Sequence, residues 1–145
     1  MSHNVKITNV KVSNLSYVES AVAELNEEYN LGWVCEYDST IRGWADKETK
    51  VKLAIKTNDR YDIGFTENDD GTYTAVYENM YWSPVKADSS AELLEDCKDQ
   101  SGYAIGKLLQ RINIITAECE AAQCGYSTQR EYDEKTGIMN LLVMN

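Results

Sequence analysis

Between Lys50 and Tyr77 apolar and polar side chains take turns along the chain. Val51, Leu53 and Ile55 alternate with Lys50, Lys52, Ala54 and Lys56, and Tyr61, Ile63 and Phe65 alternate with polar or small neighbours. The turn-forming run Asn68-Asp69-Asp70-Gly71 then leads into Thr72-Tyr73-Thr74-Ala75-Val76-Tyr77. A period of two places successive side chains on opposite faces of a strand, and short polar turns join antiparallel neighbours. The pattern predicts an antiparallel meander with one buried face.

The flanks supply helices. Residues 5–12 are rich in β-branched types and read as a first strand, after which Ser13 or Asn14 can cap a helix. Leu15, Val18, Val22, Leu25 and Tyr29 recur at three-and-four spacing, with Glu19, Glu24, Glu27 and Glu28 off that stripe and Gly32 as the stop. Trp33 to Tyr37 reads as a second strand, ended by the turn-prone Asp38-Ser39-Thr40 and followed by Ile41-Arg42-Gly43-Trp44. Beyond Pro84, the acidic stretch Asp88 to Asp99 reads as a loop with one short helix. A longer helix follows, with the stripe Ile105, Leu108, Leu109, Ile112, Ile115, Cys119 and Ala122 and a glycine cap at Gly125. Tyr126 to Tyr132 and Ile138 to Met144 close the chain as a hairpin. Its last strand is apolar on both sides of its alternation, which fits a central strand or one covered by a partner. The expected fold is α+β: an antiparallel sheet of six to seven strands with two main helices on one face, a two-layer sandwich forming a single domain over residues 1–145.

Charge limits the partners. The chain has 145 residues, 24 Asp and Glu against 14 Lys and Arg, and a formal net charge of −10. Proteins that coat long nucleic acids or anionic membranes gain from clustered Lys and Arg, so both are excluded as general partners. No segment approaches the ~20 apolar residues of a membrane helix, and the polar opening Met1-Ser2-His3-Asn4 does not start a signal peptide, so a cytoplasmic location is expected. The four cysteines form no CxxC pair and the one histidine, His3, lies at the start, so neither a zinc site nor a histidine-based catalytic triad is expected. No phosphate-binding glycine loop, nucleophile elbow or zinc-protease motif occurs. Asp62, Asp69 and Asp70 are the first candidates for carboxylate and metal chemistry, but the polar company of Asp69 and Asp70 favours solvated surface. The chain reads as a binding protein without cofactor, not an enzyme.

Several short motifs together resemble one family. They are Met1-Ser2-His3, Ile41-Arg42-Gly43-Trp44, Tyr61-Asp62-Ile63-Gly64-Phe65, Asp70-Gly71-Thr72-Tyr73, Tyr103-Ala104, and Gly125-Tyr126 leading into the Gly137 hairpin. The chain resembles the uncharacterised hypothetical chloroplast reading frame thirty-five family, whose members occur in cyanobacterial and plastid genomes and in phages. Asn4 stands where that family suggests an aromatic or apolar residue, and the segment from about Glu78 to Asp99 looks longer than in plastid members, so the chain looks like a phage member. The resemblance implies a fold and no catalytic residue.

The binding candidates are aromatic and cationic. Three tryptophans and ten tyrosines accompany a single phenylalanine, a usage suited to interfaces and base stacking. Arg42, Lys47, Lys50, Lys52, Lys56 and Arg60 form the basic enclave of an acidic chain, with Lys50, Lys52 and Lys56 on one strand face. Lysines on an exposed sheet face also protect it against aggregation. Arg42, Trp44, Lys52, Lys56 and Trp82 are the candidate site for a small anionic, nucleotide-type ligand, such as a host defence signal, sequestered at a homo-oligomer interface. The alternative is an acidic inhibitor or adaptor that offers Asp59 to Asp70 and Asp88 to Asp99 to a basic host protein. Asp62 is expected to be solvated or paired with a lysine of the neighbouring strand, and Gly64 to permit close packing or a bulge.

Overall fold

The computed structural model describes residues 4–42, 48–57, 62–78, 105–136 and 138–145. The expected short helix at 88–99 lies outside them. In chain order the elements are β1 (Asn4–Val12), α1 (Leu15–Tyr29), β2 (Val34–Arg42), β3 (Glu48–Lys56), β4 (Ile63–Glu67), β5 (Tyr73–Glu78), α2 (Ile105–Gln123), β6 (Ser127–Asp133) and β7 (Ile138–Met144). β1 to β5 form one antiparallel sheet in the order β1-β5-β4-β3-β2. β6 and β7 pair with each other in a separate two-stranded sheet. The α+β class holds, and the strands divide into five and two. The last strand is therefore not central: its one strand neighbour among the described residues is β6.

Local chemistry explains both helices. The Asn14 side chain accepts a hydrogen bond from the Ser16 backbone N–H at 2.9 Å, satisfying one donor that the first turn of α1 leaves open. Asn30 ends α1 in the left-handed conformation at φ 55°. At the end of α2, Gly125 has φ +85°, its N–H bonds the Ala122 carbonyl at 3.0 Å and Tyr126 N–H bonds the Ala121 carbonyl at 2.9 Å. These are the two bonds of a Schellman cap, and they turn the chain straight into β6.

Both helices cover the same sheet face. Leu15, Val18, Val22 and Leu25 of α1 and Leu108, Ile112 and Ile115 of α2 join Leu53, Ile55, Ile63, Phe65 and Ala75 in one buried cluster. Trp33 belongs to this cluster at 3% exposure, so it serves the core and not an open stacking platform. Asn26 fixes it there: its amide donates to the Trp33 carbonyl at 2.7 Å and its side-chain oxygen accepts from Trp33 N–H at 2.9 Å. Among the described residues, no helix is long and apolar enough to cross a membrane.

Two details differ from the alternating pattern. β2 runs through Asp38-Ser39-Thr40 without turning, because Asp38 takes φ 50° inside the strand, a conformation that Asp tolerates better than most side chains. The pleat is interrupted there. Leu53 and Ile55 face the helices, whereas Val51 joins Ile41, Ala54 and Val76 in a second small cluster. The meander thus has two buried faces, and Asp62, Ile63, Gly64 and Phe65 are buried in succession.

Gly64 shows how closely the second face is packed. A Cβ at this position would stand 2.6 Å from Val51 Cγ1 and 3.0 Å from Ile41 Cγ2. Valine is stiff at χ1 and cannot swing away without cost. Gly64→Ala is expected to lower stability by about 1–3 kcal/mol in urea unfolding, the usual penalty of overpacking. Adding Val51→Ala should recover part of that loss. Strictly additive losses in the double variant would show that the two positions do not press on each other.

Candidate functional site

The candidate cations converge on a carboxylate of their own chain. Asp62 precedes β4, its side chain is fully buried, and its backbone N–H bonds the Arg42 carbonyl at 3.2 Å. The Arg42 guanidinium grips both carboxylate oxygens, Nη2 to Oδ1 at 2.7 Å and Nε to Oδ2 at 3.0 Å. Arg42 backbone N–H adds a bond to Oδ2 at 2.9 Å, and Thr57 N–H one to Oδ1 at 3.2 Å. The Lys56 ammonium stands 3.6 Å from Oδ2 and also donates to the Thr40 carbonyl. Arg42 Nη2 makes one more bond, to the Thr57 carbonyl at 3.1 Å.

Asp62 is therefore not solvated. It pairs with the expected lysine of the neighbouring strand, and more closely with an arginine that the sequence reading assigned to ligand binding. Burial pushes its carboxyl pKa up, but the bonds from Arg42 and Thr57 outweigh burial and hold it below its ordinary value. A buried charge persists only when its lone pairs are met, and this one meets two cations and two backbone donors. The cluster ties the end of β2, the end of β3 and the start of β4 to one point.

The other candidates are placed differently. Lys52 pairs with Asp38 at 3.1 Å, which raises its pKa. Trp44 and Trp82 lie outside the described residues. Of the three described candidates, Arg42 and Lys56 share Asp62, whereas Lys52 lines an open groove of about 580 Å³. Lys50, Ser39, Thr40 and Thr66 also line this groove, and Asp38 and Glu67 put negative charge into it.

A second charged cluster escaped the sequence reading, which placed the α1 glutamates only off the apolar stripe. Arg111, itself buried, bonds Glu24 at 3.0 Å and Glu28 at 2.7 Å. Arg130 of β6 bonds Glu24 at 2.7 Å and Glu118 at 2.7 Å. The Arg130 bond holds the Glu24 carboxyl below its ordinary pKa, and Glu118 and Glu24 raise that of Arg130. This chain of alternating charges joins α1, α2 and β6. The Lys107 ammonium above the Tyr132 ring, 5.0 Å from its centre, adds a cation–π contact between α2 and β6. Glu24 and Glu28, four apart on one helix face, were the available signal.

The carboxylates proposed for metal chemistry do not assemble. Asp62 is held by cations, and Asp69 and Asp70 are exposed. Asp70 accepts from the Thr72 hydroxyl and backbone N–H and pairs with Lys11 at 3.2 Å, which lowers its pKa to about 2. Among the described residues no three His, Cys, Asp or Glu side chains gather as a metal set. Burial pushes the Cys35 thiol up to about 11, so it is protonated at neutral pH.

The folded-state pKa of Asp62 lies below its unfolded value of about 3.9, so the stability it contributes is present above that value and is lost as pH falls through the folded one. Asp62→Asn should remove this acid-side slope from a stability profile. At pH 7 it should cost about 2–3 kcal/mol, less than for a wholly buried pair because Arg42 reaches solvent. An unchanged slope below about pH 4 would assign acid sensitivity to other carboxylates.

Comparison with known proteins yields a family and no closer relative. No curated protein and no solved structure matches the chain. The model of a family described as a protein of unknown function, DUF1257, matches residues 21–142, from within α1 to within β7, and the chain belongs to this family.

Proposed function

We propose that the protein is a non-enzymatic adaptor or inhibitor that offers an acidic surface to a basic protein in the cytoplasm. The observation that carries this reading is the use of the cations. Lys11, Arg42, Lys52, Lys56, Arg111 and Arg130 all lie against carboxylates of their own chain. Internal pairing removes charge one for one and leaves the net −10 unmet. Glu27, Glu48, Glu67, Asp69, Glu120 and Glu134 are exposed to take part in such contacts. Of the two acidic segments named from sequence, the first is described from Asp62 on, with Asp62 buried and Glu67, Asp69 and Asp70 exposed, and the second lies outside the described residues.

Charge attraction of this kind speeds encounter and weakens as salt screens it. Immobilised protein should retain basic proteins from a cell lysate in low salt and release them in high salt. A Glu67→Lys, Asp69→Lys variant should retain fewer. Capture of nothing in low salt, or equal capture by the variant, would overturn the reading.

One observation favours a second reading, in which a phage member of the family sequesters a small nucleotide-type anion as a counter-defence. Lys50 and Lys52 share their groove with the hydroxyls of Ser39, Thr40 and Thr66, a donor set suited to phosphate. A ligand at about 100 times its dissociation constant adds about 2.7 kcal/mol of stability. Cyclic di- and trinucleotides should therefore raise the melting temperature of the native chain and not of Lys52→Ala. The absence of any shift would remove this version.

A further inference from the structure

We infer that β7 is the seam of a symmetric dimer, in which two copies pair antiparallel along this strand to make the four-stranded sheet β6-β7-β7-β6. The hairpin holds a position that a folded protein rarely leaves open. Its outer edge at β7 pairs with no other strand among the described residues, and a two-stranded ribbon has little stability of its own. Apolar side chains are exposed along it, Leu142 at 43% and Val143 at 54%, with Ile138 and Met144 beside them. Free edges of folded sheets are normally blunted by charge, proline, a bulge or a cover. β7, Ile138-Met139-Asn140-Leu141-Leu142-Val143-Met144, has no charge and no proline.

Charge identifies the occupant. Every copy carries −10, so two copies repel wherever acidic surface meets acidic surface. β7 is a seven-residue strip along which a second copy approaches without that penalty. It is also self-complementary about Leu141. Antiparallel pairing there sets Leu141 opposite its own copy, Asn140 opposite Leu142, Met139 opposite Val143 and Ile138 opposite Met144, all neutral. A two-fold interface requires such a patch to fit itself. The β6 edge fails this test, because it holds Arg130, Glu131 and Asp133 and would set like charges against each other. Arg130 is already bound to Glu24 and Glu118, so β6 spends its arginine within its own chain, while β7 keeps Leu142 and Val143 exposed.

The dimer differs from binding of a basic partner in the sign of its salt dependence. Screening the repulsion between two acidic copies should tighten self-association, whereas screening an attraction should loosen it. Sedimentation equilibrium of the full chain in low and high salt measures this directly. A monomer–dimer equilibrium whose dissociation constant falls as salt rises is expected. Leu142→Glu, at an exposed position that leaves the monomer fold intact by circular dichroism, should raise that constant by about tenfold or more. Glu131→Lys on β6 should leave Leu142-dependent pairing in place. A native chain that stays monomeric in high salt would overturn the inference, as would a dimer that weakens with salt or one that Leu142→Glu does not disturb. Monomeric protein whose lysate partner is lost with Leu142→Glu would give the strand to a different occupant. None of these results bears on the Glu67 and Asp69 surface, which is judged by its own salt-sensitive capture.

Discussion

One buried carboxylate fixes the geometry of the sheet. Asp62 is withdrawn from water and held by the Arg42 guanidinium, the Lys56 ammonium and two backbone N–H groups. Its partners come from the ends of β2 and β3, and Asp62 itself leads into β4, so three strand termini share one anchor. The neighbouring residues follow from that anchor. Drawing Arg42 towards Asp62 brings Ile41 onto the sheet face away from the helices, where Ile41 and Val51 pack so close to Gly64 that no side chain fits there. An ion pair of this kind does not by itself guarantee a stable protein, since desolvation opposes the attraction. Its clearer effect is to specify one arrangement, because removing a single partner leaves a buried charge unmet.

The same chemistry recurs at the other arginines. Arginine is suited to bidentate and partly buried pairing, and here Arg42, Arg111 and Arg130 all bind carboxylates inside the chain. The basic enclave seen in the sequence thus becomes, for Arg42 and Lys56, a fastening between strands. Among the described residues, Glu27, Glu48, Glu67, Asp69, Glu120 and Glu134 keep negative charge at the surface. The proposed basic partner and the proposed pairing of two copies along the uncharged β7 both rest on this imbalance of charge.

What could be read from sequence follows the range of the physics. The stripe Leu15, Val18, Val22, Leu25, the Asn14 cap and the Gly125 cap are set within a few residues, and each took the form its spacing predicts. The α+β class followed from counting such elements. Asp62 could not be read in the same way, because a charged residue in an alternating strand looks the same whether it meets water or a guanidinium twenty positions away. Asp38 was misleading for a related reason: aspartate is a turn former, but the Lys52 ammonium and an intact ladder on both sides keep it within β2. Arg111 and Arg130 lie more than eighty residues from the glutamates of α1 that they bind, so only the fold shows the pairing.

The commitment of Arg42 to Asp62 is the claim on which the rest stands. A double-mutant cycle with Asp62→Asn, Arg42→Met and the combined variant, followed by urea unfolding at pH 7, measures the coupling between the two side chains. A coupling of about 1.5 kcal/mol or more is expected, with the double variant little worse than the poorer single one. Losses that add within about 0.5 kcal/mol would contradict it and return Arg42 to the set of residues available for a ligand.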